Sequence, residues 1–232
     1  MMAKIKNFGL NTRFADKLYS NIRNLGPTIV HLSGFLCQLQ LMKSPKNLVL
    51  FASGSGSNVE NIAAYFRGDA RIQIKGVLCN NPGAGVVDRC KRLGLPLFCF
   101  NRPAFQQMDG LLQLLKGLEP DLIVLAGFLW KIPEELVRAF PEKIINIHPA
   151  LLPRFGGKGM YGMHVHKAVL ENGENESGIT VHLVNEAYDE GAIILQKKVA
   201  IAEGETPESL AGKIHQLEYE HYPQVISNLL FG

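Results

Sequence analysis

The stretch Ile144-Ile145-Asn146-Ile147-His148-Pro149-Ala150-Leu151-Leu152-Pro153 constrains the fold of this chain more than any other. It begins as a β-branched apolar run and ends in two prolines, the pattern of a buried strand running into a loop. Side chains alternate along a strand, so Asn146 and His148 share one face while Ile145 and Ile147 share the other. Pro149 cannot continue the ladder of a central strand and ends it there. An amide and an imidazole therefore leave one strand end together. Either they are core polar groups satisfied by backbone, or they meet a ligand.

The surrounding pattern bears on that choice. Leu48 to Ala52, Arg71 to Cys79, Leu97 to Phe100 and Leu122 to Ala126 read as strands. Between them, Val59-Ile62-Ala63-Phe66, Val86-Val87-Cys90-Leu93 and the leucines within Phe105 to Leu118 recur at helical spacing. A short helix is expected from Pro133, and another from His164 to Asn172. Gly178 to Asn185 and Ala192 to Ile201 are expected strands. Thr206-Pro207 starts a final helix, with an N-cap and a proline at its first position, that is expected to break at Pro223. Alternation of this kind predicts an α/β fold, a Rossmann-like doubly wound, mainly parallel sheet. Ligands in such sheets sit outside the carboxyl ends of the strands. The turn Ser53-Gly54-Ser55-Gly56-Ser57-Asn58, the loop at Gly127 and the Asn146/His148 pair all fall at such ends.

At 232 residues and 47% hydrophobic, the chain can bury a large core. Residues 1–41 carry Lys4, Lys6, Arg13, Lys17 and Arg23 against Asp16 alone, so the excess positive charge sits there and the remainder is near neutral. Nucleic acid is not an expected partner. Residues 1–46 are expected to be an extension, either disordered or preceding a true start at Met42, with one domain over 47–232. Four cysteines without Cys-x-x-Cys spacing predict reduced thiols in a cytoplasmic protein. No apolar run reaches membrane-spanning length.

The Ser53–Asn58 turn joins a strand to a helix start, where free N–H groups and the helix dipole suit a phosphate monoester. A plain tight turn is the competing reading, since Val59 replaces the third glycine of a dinucleotide fingerprint and no Walker lysine is present. His148 suits general acid–base chemistry, and Asp189, in the turn Glu186-Ala187-Tyr188-Asp189-Glu190-Gly191, is the best orienting carboxylate. Asp also favours turns for backbone reasons. His164 and His166, two apart, do not share a helix face and read as loop and helix-cap residues, with no metal expected.

With these residues in view, the chain from Asn47 onward resembles the phosphoribosylglycinamide formyltransferases, a branch of the formyl-folate transferase superfamily. The resemblance rests on Ser53-Gly54-Ser55-Gly56-Ser57-Asn58, Leu125-Ala126-Gly127-Phe128, Asn146-Ile147-His148-Pro149 with Leu151-Leu152-Pro153, Gly178-Ile179-Thr180-Val181-His182 and Tyr188-Asp189-Glu190-Gly191. It implies a catalytic trio of Asn146, His148 and Asp189, and a ribonucleotide held by Gly56, Ser57, Asn58 and Glu218. It implies a pocket for 10-formyltetrahydrofolate walled by Leu129-Trp130-Lys131-Ile132 and Asn185-Glu186-Ala187-Tyr188-Asp189. Small-molecule substrates, no metal, no membrane and a monomer or weak homodimer complete the expectation. Three departures stand out. The helix Phe105 to Leu118 lacks the arginine that contacts folate in the bacterial form, Trp130 replaces an arginine, and the Arg154–Met163 loop is longer. The rival enzymes are a formyltetrahydrofolate hydrolase, expected to carry a regulatory domain for which residues 1–46 are too few, and a transfer-RNA formyltransferase, expected to carry a further carboxyl-terminal domain. A nucleotide-binding module without catalysis is the rival from outside enzymology.

Overall fold

The computed structural model describes residues 44–232, so the expectations for the segment ahead of Met42 lie outside the described residues. The elements in chain order are β1 (Lys46–Ala52), α1 (Ser57–Tyr65), β2 (Ile72–Cys79), α2 (Gly85–Leu93), β3 (Leu97–Cys99), α3 (Arg102–Gln107) and α4 (Asp109–Leu118). They continue with β4 (Leu122–Leu125), α5 (Glu134–Ala139), β5 (Ile144–His148), α6 (Met163–Glu171), β6 (Glu176–Leu183), β7 (Ile193–Ala200) and α7 (Pro207–Phe231).

The strands form one seven-stranded sheet in the order β3-β2-β1-β4-β5-β6-β7. The first five pair in parallel, and β6 and β7 add antiparallel. The doubly wound, mainly parallel sheet is therefore as the alternation predicts. The chain runs outward from β1 to β3, then returns to place β4 on the other side of β1, so β1 and β4 flank the topological switch point. Val49 to Ala52 and Leu122 to Leu125 are buried on both faces, which explains why these stretches carry no polar residue. Alternate side chains feed two apolar layers. One layer, holding Leu48, Leu50, Ile145 and Ile147, packs under α1, α2, α6 and α7. The other, holding Val49, Phe51, Ile123 and Ile144, packs under α3, α4 and α5.

Two helices differ from the periodicity. The expected helix Phe105–Leu118 is two helices broken at Met108, whose φ is +57° and whose side chain is buried. Asp109 opens the first turn of α4, where an acid suits the dipole. That signal is masked by the unbroken apolar spacing. The helical segment also begins earlier than expected, at Arg102, because the Asn101 side chain caps it by accepting from Ala104 N–H at 3.0 Å. In the other direction, α7 runs through Pro223 without breaking. Proline removes the N–H that would bond the Tyr219 carbonyl, and Asn61 Nδ2 of α1 donates to that oxygen instead, at 2.9 Å. The lost bond becomes a contact that ties α7 to α1.

Candidate functional site

The loops after β1 and β4 are bonded to each other across the switch point. Ser53 N–H donates to the Gly127 carbonyl (3.0 Å), and Leu129 N–H donates to Ser53 Oγ (3.0 Å). Gly56 then turns the chain into α1 with φ +77°, in the left-handed region. A Cβ there would lie 2.6 Å from the Val86 side chain and 2.8 Å from its Cα, so glycine is required twice over. Val86 is fixed by its own N–H bond to the Gly54 carbonyl (3.1 Å). The first N–H groups of α1 receive no side-chain cap, leaving them free for an anion. Just inside, buried Asn58 donates to buried Glu218 of α7 at 2.9 Å, while Asn58 Oδ1 has no partner. Burial pushes the Glu218 carboxyl up, with the Asn58 bond and the His215 charge opposing it.

At the end of β5, Asn146 and His148 share a face as the alternation requires, and β6 lies beside them with His182 opposite Asn146. The Asn146 amide lies 3.3 Å from His182 Nε2. His182 Nδ1 lies 2.8 Å from the Leu183 carbonyl, which only accepts, so Nδ1 is the donor there. His148 Nε2 donates to the Phe155 carbonyl at 2.7 Å by the same reasoning. Its Nδ1 faces Asp189 Oδ2 at 3.6 Å, and Asp189 Oδ1 is 3.6 Å from His182 Nε2. Asp189, at φ +55°, sits between the two imidazoles and also accepts from Gly157 N–H at 2.9 Å. The fold thus brings Asp189 to the strand-end pair across about forty residues of chain.

The electrostatics follow from burial and these neighbours. Burial pushes the His148 imidazole below its ordinary value, and the Asp189 charge and the Phe155 carbonyl oppose it only in part. Burial also pushes the Asp189 carboxyl up, but His182, the His148 charge and the Gly157 amide together hold it below its ordinary value. Asp189 is therefore ionised at neutral pH.

Both clusters open on one cavity of about 530 Å³. Gly56, Ser57, Asn58 and Glu218 line one end, and Asn146, His148, His182 and Asp189 the other. Of the expected folate walls, Leu129 to Ile132, Asn185, Ala187 and Tyr188 line it, whereas exposed Glu186 does not. A second hollow of about 370 Å³ lies against Leu129, Trp130, Lys131, Tyr188 and Arg102. The Arg102 guanidinium lies 4.7 Å from the Trp130 ring centre, and Lys131 Nζ 5.6 Å from that of Tyr188. Arg102 belongs to α3, three residues ahead of Phe105, whereas α4, the helix that leads into β4, carries no arginine. Among the described residues, no group of three or more His, Cys, Asp or Glu is placed to hold a metal ion.

Two histidines escaped the sequence reading. His182 lies in the Gly178–His182 stretch with no role expected from sequence; its signal is the polar pair Thr180 and His182, two apart on a buried strand. His166 is neither loop nor cap. It lies inside α6, is 3% exposed, lines the cavity, and has Nδ1 sealed without a partner.

A family described as formyl transferase matches residues 46–226. The phosphoribosylglycinamide formyltransferase of Bacillus subtilis (strain 168) is 39% identical over 194 residues, covering 80% of this chain and 95% of that protein. The chloroplastic phosphoribosylglycinamide formyltransferase of Arabidopsis thaliana is 41% identical over 187 residues, covering 78% of this chain. The chain spans 64% of that plant protein's length and 61% of that of its Vigna unguiculata counterpart. The crystal structure of glycinamide ribonucleotide transformylase 1 from Geobacillus kaustophilus has a TM-score of 0.73 at 39% identity, covering 80% of this chain and 99% of that one. That of phosphoribosylglycinamide formyltransferase from Bacillus halodurans has a TM-score of 0.74 at 33% identity, with 80% and 96% covered.

Proposed function

Since this chain belongs to the formyl transferase family, we propose that it moves the formyl group of 10-formyltetrahydrofolate to the amine of 5′-phosphoribosylglycinamide, a step of purine synthesis. One observation carries the reading. An anion-ready helix start and an Asn/His/Asp cluster face each other within a single cavity, at the two ends that such a ribonucleotide would span.

The phosphate meets the free N–H groups at Gly56 to Asn58, and the rest of the ribonucleotide passes Glu218 toward His148. The folate fits the remaining wall by its chemistry: Trp130, Leu129, Ile132 and Tyr188 offer flat apolar surface, and Arg102 with Lys131 offers cations for its carboxylates. The amine nitrogen attacks the formyl carbon and the carbonyl electrons move to oxygen. Asn146 Nδ2 and His148 Nε2–H are donors for that oxyanion, worth most when already in place. His148 Nε2–H now bonds the Phe155 carbonyl, so the formyl oxygen must replace that acceptor. His148 enters as the imidazolium, with Nδ1 toward ionised Asp189, which stabilises that charge. As the intermediate collapses, the C–N bond to the folate nitrogen breaks, Nε2 gives its proton to that nitrogen, and the freed Nε2 then takes the proton lost by the amine.

All of these groups come from one chain, so a monomer or weak homodimer carries a complete site. Among the described residues no helix is long and apolar enough to cross a membrane. Among the described residues, Cys79, Cys90 and Cys99 form no disulfide.

The test is absorbance-monitored conversion of 10-formyltetrahydrofolate with and without the ribonucleotide. Turnover that depends on the ribonucleotide is expected. Equal turnover without it would make the protein a hydrolase.

A further inference from the structure

His166 is a buried titratable group lining the cavity that the reaction above leaves unused. It sits mid-way along α6 between Val165 and Val169, both fully buried, so its ring is held by the helix against the core. Nδ1 is closed off from solvent and bonds nothing. No described side chain or backbone group bonds Nε2 either, and Nε2 is not closed off, so the ring meets the cavity through that edge. A buried N–H without an acceptor is rarer and costlier than a buried lone pair. The proton therefore belongs on Nε2, where it points an unused donor into the cavity.

Charge narrows the acceptor. Burial, with the nearby His215 and His148, pushes the imidazole down to about 4, so His166 is uncharged at neutral pH. An uncharged ring does not serve as the counter-charge of a phosphate. Position narrows it further. His166 is close both to His215, which neighbours Glu218 beside the phosphate turn, and to His148 at the reacting end, so it stands between the two. The middle of a ribonucleotide that spans those ends holds the ribose and the glycinamide carbonyl, all uncharged oxygens.

We propose that His166 is a substrate-binding residue whose Nε2–H donates to an uncharged oxygen of the ribonucleotide, on the ribose or the glycinamide. This inference rests on the function proposed above for the identity of the ligand. A neutral hydrogen bond contributes about 0.5–1.5 kcal/mol, or roughly three- to tenfold in affinity.

The experiment is titration calorimetry of the full chain with three probes: inorganic phosphate, ribose 5-phosphate and the glycinamide ribonucleotide. His166→Phe keeps the ring volume and removes both nitrogens. His166→Gln returns an N–H close to the Nε2 position. The expected result is a three- to tenfold weaker affinity in His166→Phe for the ribonucleotide, largely restored in His166→Gln, with inorganic phosphate unaffected. Equal weakening for ribose 5-phosphate assigns the acceptor to the ribose, and weakening confined to the ribonucleotide assigns it to the amide. In turnover, the ribonucleotide KM should rise by the same factor while kcat and the pH profile above pH 6 stay in place. Unchanged ribonucleotide affinity in a folded His166→Phe, or a loss that His166→Gln does not repair, overturns the proposal. If His166-dependent binding is seen but no formyl transfer occurs, the proposed reaction fails and the binding role stands.

Discussion

The two ends of the cavity are built by different means. The reacting end is assembled from a strand terminus and loops. Asn146 and His148 finish β5, His182 comes from the neighbouring antiparallel strand, and Asp189 and Phe155 are loop residues at positive φ. The bonds that join these groups are few and partly long, with His148 and Asp189 at 3.6 Å. The turn end is assembled from packed helices. Gly56 lies against Val86, and Asn58 and Glu218 are bonded while both buried. Asn61 occupies the carbonyl that Pro223 leaves free. One end is set up to move charge and exchange partners, the other to hold a shape. Substitutions at the first should cost rate with little effect on stability, and substitutions at the second should change stability as well as ribonucleotide affinity.

The largest effect is expected from Asp189→Asn. The amide keeps the shape and an oxygen for Gly157 N–H but removes the charge that favours protonated His148. The loss in kcat should be about 10²- to 10⁴-fold, the range of general acid–base catalysis, with the ribonucleotide KM within about twofold. The His148 titration, followed by NMR of the imidazole, should move to lower pH, because the Asp189 charge is what raises it. Native-like turnover would take Asp189 out of the mechanism and leave the two ends indistinct.

Next in size is Gly56→Ala. Its Cβ would meet a Val86 backbone that is itself bonded to Gly54, so neither side can yield. The expected cost is about 1–3 kcal/mol, or about 2–4 °C of melting temperature per kcal/mol for a domain of this size. The ribonucleotide KM should rise, and the folate KM should not. A drop in kcat alone would contradict a turn that binds.

The same contrast governs what can be read from the chain. The reacting end is legible because strand alternation puts Asn146 and His148 on one face, and Pro149 fixes where the strand stops. The phosphate turn is legible as small residues between a strand and a helix. What escapes is whatever long-range packing decides. Local pattern does not reveal that α7 would survive Pro223, since the compensating donor, Asn61, lies in α1. It does not break the helix at Met108, where apolar spacing continues past the break. His166 reads as a cap because it lies close to the helix start expected at His164, and only the folded α6 shows its ring turned into the core. Register, not composition, marks His182.

The smallest effect, Glu218→Gln, separates binding from stability at the turn end. Burial raises the Glu218 carboxyl in the folded protein above its value in the unfolded chain. Folding therefore favours the protonated form. That contribution to stability is fully present below the ordinary carboxylate value of about 4.3 and is lost as pH rises through the raised folded value. Glutamine keeps an oxygen for the Asn58 amide and carries no charge to bury, so the loss disappears. Above the ordinary carboxylate range Glu218→Gln should unfold at higher urea than the native protein, and the gap should close on acidification. The ribonucleotide should bind about fivefold more weakly, the difference between a charged and a neutral hydrogen bond. Greater stability with weaker binding would mean that this end keeps a buried acid for its ligand at the expense of the fold. A variant less stable at neutral pH would mean instead that the Asn58–Glu218 pair is there to hold α1 to α7.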